Sequence, residues 1–452
     1  MPARAESRAG AVGCRGGWAR TVSPLGTSGA SAVAPPDSST DDGMCALTRR
    51  VAAMAVASAA LLSGCGQVGP PPKDFATEDA VLAMRVHEGG EDSSYLVLVS
   101  AKGETRAIEL DEVEGAAISW TEDGITTSDR SHDYVIDENG LTANERTSGG
   151  GEIETQHEWY RVSVGAGTLV GFSPEDGSKE PFVTYIDGES GKATTRVSPY
   201  GQTSTAAVCG ERVFASGRGT DTKAFEDDSA SIPENQLNRA ALTSAYPHDG
   251  TDILSTLEPS AFPGTTSPCV DGIVYEGWEN DAEQHFVRVW NTTKGTPAAQ
   301  VAVDHEIVYP EDDSSLIGGP DRVTVSDGQL FWVVDNTMWS APVPTTEAAP
   351  IRAREVVYLP GSVGLDAEVL TYASNAAYTV TNESDLHKRF TRRRSDRVWT
   401  ELTELSLVRT DLATGKASLA LEVDVEDVDF PTKDTRVTAL AINPEWLAEN
   451  SE

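Results

Sequence analysis

One short segment near the C-terminal end concentrates positive charge in a strongly acidic chain. Six basic residues lie within ten positions, with Phe390 among them and Trp399 just beyond: Lys388, Arg389, Arg392, Arg393, Arg394 and Arg397. Such a cluster predicts a docking patch for an acidic protein, an anionic glycan or a lipid headgroup. The alternative is a solvated loop that pairs with acidic loops beside it, such as Glu226-Asp227-Asp228.

Aromatic and acidic side chains give two weaker binding signals. Trp278 opens the predicted loop Glu279-Asn280-Asp281 and is the best aromatic candidate for stacking on a ligand, with packing in the core as the alternative. The acidic runs Glu226-Asp227-Asp228 and Glu311-Asp312-Asp313 offer carboxylates but lack the ordered D-x-D-x-D-G spacing of a Ca²⁺ loop. We predict no cofactor, keep Ca²⁺ open as an alternative and assign no metal ligand.

Catalytic motifs are absent from the sequence. The 7 histidines show no H-x-x-E-H or H-E-x-x-H spacing, and no G-x-S-x-G elbow occurs. The run Ser326-Asp327-Gly328-Gln329-Leu330-Phe331-Trp332 is similar only in composition to a sialidase aspartate box, S-x-D-x-G-x-x-W. Asp and Glu are too abundant for any pair to be assigned as acid and base. We therefore name no catalytic residue and favour a binding protein over an enzyme.

The N-terminal part of the chain predicts export. Arg49 and Arg50 precede a short apolar run, Val51 to Leu62, which is too short to span a membrane. The next residues, Leu62-Ser63-Gly64-Cys65, resemble the bacterial lipobox. This resemblance implies that Cys65 is lipidated, becomes the first residue of the mature protein and anchors it to the outer leaflet of the cytoplasmic membrane.

These features divide the chain into five parts. Residues 1–43 have no periodicity and are interpreted as a mis-assigned start or a disordered leader that is removed. Residues 44–64 form the lipoprotein signal peptide, and 65–79 the lipidated cysteine with a flexible tether. Residues 80–447 form one domain, and 448–452 a tail. The Ala, Arg and Gly content of the leader indicates an actinobacterial source.

Overall charge restricts the partners. The chain carries 35 Lys and Arg against 71 Asp and Glu, a formal net charge of -36. A surface of this sign repels phosphates, which disfavours nucleic acid and anionic membranes as direct partners. The charge is typical of a soluble domain outside the cell, and we expect a monomer that contacts the membrane through its lipid alone.

Two alternating turn signatures indicate the fold. One is a Gly/Asp turn that enters a bulky apolar pair, as in Asp271-Gly272-Ile273-Val274-Tyr275; the other joins two alternating strands, as in Asp411-Leu412-Ala413-Thr414-Gly415-Lys416. Four-stranded repeats of about 40–60 residues are typical of a β-propeller. A pair of β-sandwiches is the alternative, but it gives no reason for two signatures to alternate in fixed order.

The repeats predict an all-β protein with seven four-stranded blades. Six complete units lie near 112–147, 158–199, 203–258, 265–304, 318–358 and 366–424. Three strands near 80–87, 94–100 and 105–110, together with one at Val437–Ile442, make a seventh blade that joins the two chain ends. Six and eight blades remain alternatives.

The cysteines after Cys65 fit this arrangement. Cys209 and Cys269 fall on the innermost strands of consecutive units, one residue apart in register, so they point toward the same interface from opposite sides. An oxidising exterior favours a disulfide between them, with two buried thiols as the alternative.

Topology also predicts where ligands bind. In a meander of strands A to D, the B–C loops and D–A connections share one side of the disc, here named the loop face. The A–B and C–D turns share the other side, named the turn face. The long stretches Gly217–Gln236, His305–Arg322 and Asn382–Arg397 all belong to the loop face. Loops on a rigid scaffold usually carry function, so we expect the binding site there.

The strand–DLATGK–strand unit at Leu405–Val423 resembles the blades of extracytoplasmic propellers of the YVTN and quinoprotein-like kind. The resemblance covers most of residues 80–447 and implies a fold rather than an activity. We predict a cell-surface lipoprotein whose propeller binds or scaffolds an unknown protein or glycan. The alternatives are a hydrolase or quinone-dependent dehydrogenase acting on an envelope substrate, and an assembly factor for an envelope complex.

Overall fold

The computed structural model describes most of the chain from Pro71 onward. The described residues are 71–88, 93–148, 151–174, 181–198, 203–218, 239–247, 252–258, 260, 262–263, 266–293, 296, 301–310, 319–334, 336–345, 347–359, 370–382, 402, 405–425, 428, 430–433 and 435–450.

Antiparallel strands make up nearly all of this structure. The first three strands are β1 (Ala80–Glu88), β2 (Ser93–Ser100) and β3 (Thr105–Asp111). Blade 1 contains β4 (Ser119–Thr121), β5 (Gly124–Ser128), β6 (His132–Asp137) and β7 (Gly140–Glu145), and a small hairpin follows, β8 (Thr147–Ser148) with β9 (Gly151–Glu152). Blade 2 contains β10 (Thr155–Val164), β11 (Gly167–Pro174), β12 (Phe182–Asp187) and β13 (Ala193–Val197). Blade 3 contains β14 (Thr203–Cys209), β15 (Arg212–Arg218), β16 (Ala240–Tyr246) and β17 (Asp252–Leu254).

The second half of the chain continues the pattern. Blade 4 has a divided first strand, β18 (Phe262–Pro263) and β19 (Cys269–Val270), then β20 (Ile273–Glu279), β21 (His285–Asn291) and β22 (Ala302–Val308). Blade 5 contains β23 (Asp321–Ser326), β24 (Gln329–Val334), β25 (Thr337–Pro342) and β27 (Arg354–Tyr358), with β26 (Ile351–Arg352) between the last two. Blade 6 contains β28 (Leu370–Ala373), β29 (Ala376–Asn382), β30 (Leu405–Asp411) and β31 (Ala417–Val423). The last strand is β32 (Thr435–Ile442), and the helix α1 (Pro444–Asn450) follows it.

The two ends of the chain share the seventh sheet. Strand β32 pairs with β1 along its whole length, from Leu82 opposite Ile442 to Glu88 opposite Thr435, in the order β3-β2-β1-β32. This sheet, here named the closing blade, completes the ring. The prediction of a seven-bladed β-propeller closed by its terminal strands is confirmed, and the alternatives of six and eight blades are wrong.

Apolar side chains lie between the blades rather than at one centre. The structure contains seven buried apolar clusters, one in each interface of the ring. For example, one cluster joins Val170 and Phe172 of blade 2 to Val135 of blade 1. Successive side chains of a strand therefore pack alternately against the two neighbouring blades, because both faces of a blade are covered.

Turn chemistry explains the two signatures. In the A–B turns of blades 4 and 5 both central residues have positive φ, 51° and 76° at Asp271-Gly272 and 49° and 72° at Asp327-Gly328, which is the type I′ geometry that suits a tight hairpin. In the C–D turn of blade 6, Asp411 Oδ1 accepts hydrogen bonds from the amide and the hydroxyl of Thr414 at 2.8 and 2.7 Å, and Gly415 supplies a φ of 68°.

The chain before β1 packs on the ring. Phe75 is buried in the cluster between the closing blade and blade 1. Arg106 Nη2 donates to the carbonyls of Ala76 and Thr77 at 2.6 and 3.0 Å. The packed domain therefore begins near residue 72, within the segment predicted as a tether. Among the described residues, no helix combines the length and apolar character that crossing a bilayer needs.

Candidate functional site

The loop face is described in part. It contains the B–C loops of blade 1 (residues 129–131) and blade 4 (residues 280–284) and the D–A connection 112–118. The predicted lipidation residue Cys65 lies outside the described residues. So does the basic segment, which consists of Lys388, Arg389, Arg392, Arg393, Arg394 and Arg397. The docking patch and the lipid anchor therefore stay predictions.

Trp278 lies near the loop face but packs into blade 4. Its side chain is 8% exposed, and its ring stacks on that of Phe286 across the strand pair, with centroids 4.6 Å apart. The guanidinium of Arg288 lies 4.9 Å from the centroid of the Trp278 ring, and Arg288 Nε donates a hydrogen bond to Asp304 Oδ1 at 2.7 Å. Trp278 Nε1 has no hydrogen-bond partner among the described residues.

Cys209 and Cys269 are disulfide-bonded, with Cα atoms 5.2 Å apart. Cys269 lies opposite Val274, and Val208 lies opposite the equivalent Val213, so the two cysteines differ by one position in register as the sequence indicates. The bond joins blades 3 and 4 at the turn face, next to an open pocket of about 330 Å³. It is therefore a covalent link across one interface, remote from the loop face.

A network of buried ionic side chains lies beneath the loop face of the closing blade and blades 1 and 2. Two ion pairs form its centre. Arg146 holds both oxygens of Asp133 at 3.0 and 2.9 Å, and Arg161 holds both oxygens of Glu158 at 2.9 and 2.8 Å. All four side chains are at most 1% exposed. We name this set, together with Arg85 and Asp129, the charge network.

Hydrogen bonds extend the charge network across two interfaces. Ser128 of blade 1 donates to Asp133 Oδ1 at 2.6 Å and accepts a hydrogen bond from Arg161 of blade 2. Arg85 of the closing blade donates to the Ser128 carbonyl at 2.9 Å. Burial lowers the pKa of Arg85 below its ordinary value, against the opposing field of nearby carboxylates that include Asp129. Three guanidinium groups and three carboxylates thus share the site, and their charges balance.

Asp129 fixes the B–C loop of blade 1 over this network. Its Oδ1 accepts hydrogen bonds from the amides of Ser131 and His132 at 2.9 and 2.7 Å, and Tyr134 donates its hydroxyl proton to Oδ2. Burial alone would raise the pKa of Asp129, but the His132 ring, whose Nδ1 lies 3.6 Å from Oδ1, and the hydrogen bonds from Tyr134 and the two amides place the pKa below its ordinary value. The neighbouring Asp129 carboxylate in turn raises the pKa of His132.

A second polar cluster lies where blades 4 and 5 meet near the loop face. His285 Nδ1 lies 2.9 Å from the Tyr309 hydroxyl oxygen, which accepts a hydrogen bond from Trp332 Nε1 at 3.1 Å. Burial lowers the pKa of His285 to about 4 and raises the pKa of Tyr309. The imidazole is therefore neutral at pH 7. Glu279, also buried, lies directly opposite His285 in the strand pair.

The hydrogen bonds of the charge network stay within the protein. Its ionic groups bond to one another, to backbone amides and carbonyls, and to hydroxyls such as those of Ser128 and Tyr134. Within the described part of the chain, no three His, Cys, Asp or Glu side chains converge as metal ligands. The sequence carries no sign of either cluster, because no local pattern separates these polar side chains from the many exposed ones.

Comparisons with known proteins give only distant similarity. No family model and no curated protein matches the chain. Among solved structures, the chain is similar to a protein from Lactobacillus plantarum, at 13% identity and a TM-score of 0.43, covering 80% of this chain and 99% of that one. It is also similar to the β-propeller domain of the Trilobed protease from Pyrococcus furiosus, at 11% identity and a TM-score of 0.43, covering 80% of this chain and all (100%) of that one. A third structure, apo AztD from Citrobacter koseri, has 9% identity and a TM-score of 0.37, covering 80% of this chain and 98% of that one.

Proposed function

We propose that this protein is a lipid-anchored extracytoplasmic β-propeller whose loop face binds a ligand or a partner protein in the cell envelope. One observation carries the proposal. The ring is closed by its own terminal strands, and the antiparallel strand order of each blade directs the B–C and D–A ends of the described strands to the same face. A closed ring holds these loops at fixed spacing, which is the arrangement in which loops recognise ligands.

The polar clusters under the loop face support binding over catalysis. The charge network is electrically balanced and hydrogen-bonded, so it makes the closing blade and blades 1 and 2 a rigid base for the loops above it. The neutral His285 with Tyr309 gives a second fixed polar group near the same face. An enzyme needs a reactive group aimed at substrate, and no described residue is placed in that way.

The anchor is tested with the full chain in its own host. Cells that express the wild-type protein or the Cys65→Ser variant are fed a radiolabelled fatty acid and then fractionated. We expect label and membrane association in the wild type and neither in the variant. Equal membrane association of both proteins would contradict the lipid anchor.

Binding through the loop face is tested by photo-crosslinking in the envelope. A photoreactive amino acid replaces exposed Ala282 in the B–C loop of blade 4, and a matched variant carries it at exposed Thr293 in the C–D turn of the same blade. We expect a discrete crosslinked product from position 282 and none from 293. The same product from both positions, or from 293 alone, would overturn the assignment of the loop face.

We propose that the basic segment, which the strand order assigns to the loop face, contributes to this binding. In the crosslinking assay we expect Arg393→Gln with Arg394→Gln to reduce capture of an acidic partner severalfold. A charge-matched control replaces Arg352 and Arg354 with Gln; both are exposed, Arg352 on β26 at the edge of the blade 4 sheet and Arg354 on β27, the outer strand of blade 5. Equal loss in both variants would show that net charge, rather than the segment, governs binding.

A further inference from the structure

The chain enters the ring at a fixed point on the turn face. The Lys73 carbonyl accepts a hydrogen bond from the Leu141 amide at 3.0 Å, and the Thr77 amide donates to the Asp137 carbonyl at 2.8 Å. Leu141 and Asp137 flank Glu138-Asn139, the C–D turn of blade 1. The segment that precedes β1 therefore runs along the turns of the ring rather than along its loops.

Packing makes this entry point rigid. Phe75 inserts into the interface between the closing blade and blade 1, and Arg106 donates hydrogen bonds to the carbonyls of Ala76 and Thr77. Lys73 also approaches Gly140 so closely that a Cβ on Gly140 would lie 2.2 Å from the Lys73 carbonyl oxygen. Packing, hydrogen bonds and this close approach therefore fix the segment against the turn face.

The length of chain between Cys65 and Lys73 limits the orientation of the ring. Eight residues span at most about 28 Å when fully extended. The strands of a blade, about seven residues long, make the disc roughly 25 Å thick. If the loop face were turned toward the lipid, the tether would use nearly all its length in passing the rim, with almost none left to reach the bilayer.

We propose that the turn face is the membrane-facing side of the anchored protein, so that the loop face points outward. This inference rests on the proposed lipidation of Cys65. The partner of the turn face is the lipid surface that holds the protein's own anchor.

Charge indicates that this face approaches the bilayer without adsorbing to it. Exposed acidic residues occupy the turns of five blades: Glu122, Glu138, Glu189, Glu211, Asp271 and Asp327. Carboxylates repel anionic lipid headgroups over about 8 Å, the screening length at physiological ionic strength. Exposed Lys102, Lys192 and Lys416 lie on C–D turns of the same face, so we assign the position of the ring to the tether rather than to the net charge of this face.

Energy transfer to the membrane tests the orientation. Lipidated full-length protein is inserted into preformed vesicles of phosphatidylethanolamine and phosphatidylglycerol that contain an acceptor-labelled lipid. The donor dye is attached to Thr293→Cys on the turn face or to Ala282→Cys on the loop face. Each new cysteine is the sole free thiol of the chain that starts at Cys65, because processing removes Cys14 and Cys45, lipid modifies Cys65 in the proposed anchor, and Cys209 and Cys269 are bonded.

We expect transfer from position 293 to be about twice that from 282, because the strands of blade 4 separate the two positions by roughly 25 Å. Equal transfer or the reverse order in vesicle-bound protein would overturn the orientation while leaving the anchor intact. Failure of the wild type to bind vesicles any better than Cys65→Ser would instead overturn the proposed anchor.

A longer tether provides the control for the mechanism. Insertion of about 20 Gly and Ser residues after Pro70 lets the ring rotate freely, because a flexible linker of that length reaches well beyond the rim. We expect transfer from the two positions to become equal. A difference that persists with the long tether would show that surface contacts, and not the exit point, set the orientation.

Discussion

At the scale of single residues, the charge network is the feature with the largest energetic consequence. Burying ions is costly, and only complete pairing and hydrogen bonding offset the loss of hydration. Asp133 meets this condition by accepting from Arg146 and Ser128, and Arg161 by donating to Glu158 and Ser128. The Ser128 hydroxyl therefore links the buried ion pair of blade 1 to the buried ion pair of blade 2 by hydrogen bonds.

Removing one member of a buried ion pair leaves the other charge uncompensated. We expect Asp133→Asn to lower the free energy of unfolding by about 3–5 kcal/mol, measured by denaturant titration. The control is Asp79→Asn, which removes an exposed partner of Arg106 and changes stability by at most about 1 kcal/mol. Similar small effects at both positions would show that water reaches the network.

Two histidines near the loop face have opposite pKa shifts and give opposite pH dependence. An unfolded histidine has a pKa of about 6.5. The folded pKa of His285, about 4, lies below this value, so the unfolded state binds more protons and stability falls as the pH drops from 6.5 to 4. His132 has a raised pKa, so its contribution is present below pH 6.5 and is lost as the pH rises through the folded pKa.

Replacing either His285 or His132 with glutamine separates the two contributions to the pH dependence of stability. We expect the stability of His285→Gln relative to the wild type to improve as the pH falls from 7 to 4.5, by a difference on the order of 2 kcal/mol. We expect His132→Gln to be more destabilising at pH 5.5 than at pH 8. The measurement is thermal unfolding across pH, and parallel pH profiles for both variants would contradict the assigned environments.

Residue-scale contacts of this kind were beyond sequence reasoning. Arg85 and its acceptors in blade 1 are separated by 42 and 43 residues, and Asp133 and Arg146 belong to a chain with 71 acidic and 35 basic residues. No local pattern distinguishes a buried carboxylate from a solvated one. The pairing of strands within blade 1 brings Asp133 and Arg146 together, and the packing of the closing blade on blade 1 adds Arg85.

At the scale of elements, the regular alternation of apolar and polar residues predicted most strands and turns, whereas irregular segments predicted few elements. The two turn signatures identified all six complete blades and the relative register of Cys209 and Cys269, because turn geometry and strand period depend on local chemistry. Strand β26 gave no signal, since only Ile351 and Arg352 pair, in parallel, with β22. Asn443 is a typical N-cap residue for helix α1, and its side chain accepts a hydrogen bond from the Glu445 amide at 2.8 Å.

The link between blades 3 and 4 can be tested at this scale. We expect the double variant Cys209→Ser with Cys269→Ser to lose about 4 kcal/mol, because the disulfide closes a loop with a sequence separation of 60. A dithiol reductant should destabilise the wild type to the same level and leave the variant unchanged. A reductant effect that persists in the variant would show that another group is responsible.

At the scale of the whole molecule, one strand holds the ring shut. Leu440 of β32 is buried in the cluster between blade 6 and the closing blade, and its neighbours there include Met84 of β1. Removing residues 435–452 would expose the edge of β1 and this cluster. We expect that truncation to make β1–β3 sensitive to protease, whereas removal of residues 451–452 has no effect.

A milder variant keeps this prediction testable if the truncated chain does not fold. Leu440→Ala leaves a cavity in the same interface and should cost about 2–5 kcal/mol, measured by denaturant titration. A truncated protein with the protease pattern of the full chain would show that the ring remains stable when open.

The order in which the chain is made gives ring closure a further meaning. The Asn443 side chain donates to the Ala80 carbonyl across 363 residues, so the first blade to emerge is the last to be completed. At a synthesis rate of about 10 residues per second, β1–β3 wait for roughly half a minute with an unpaired edge. Such an edge is a template for aggregation, and we expect this risk to last until the final strand arrives.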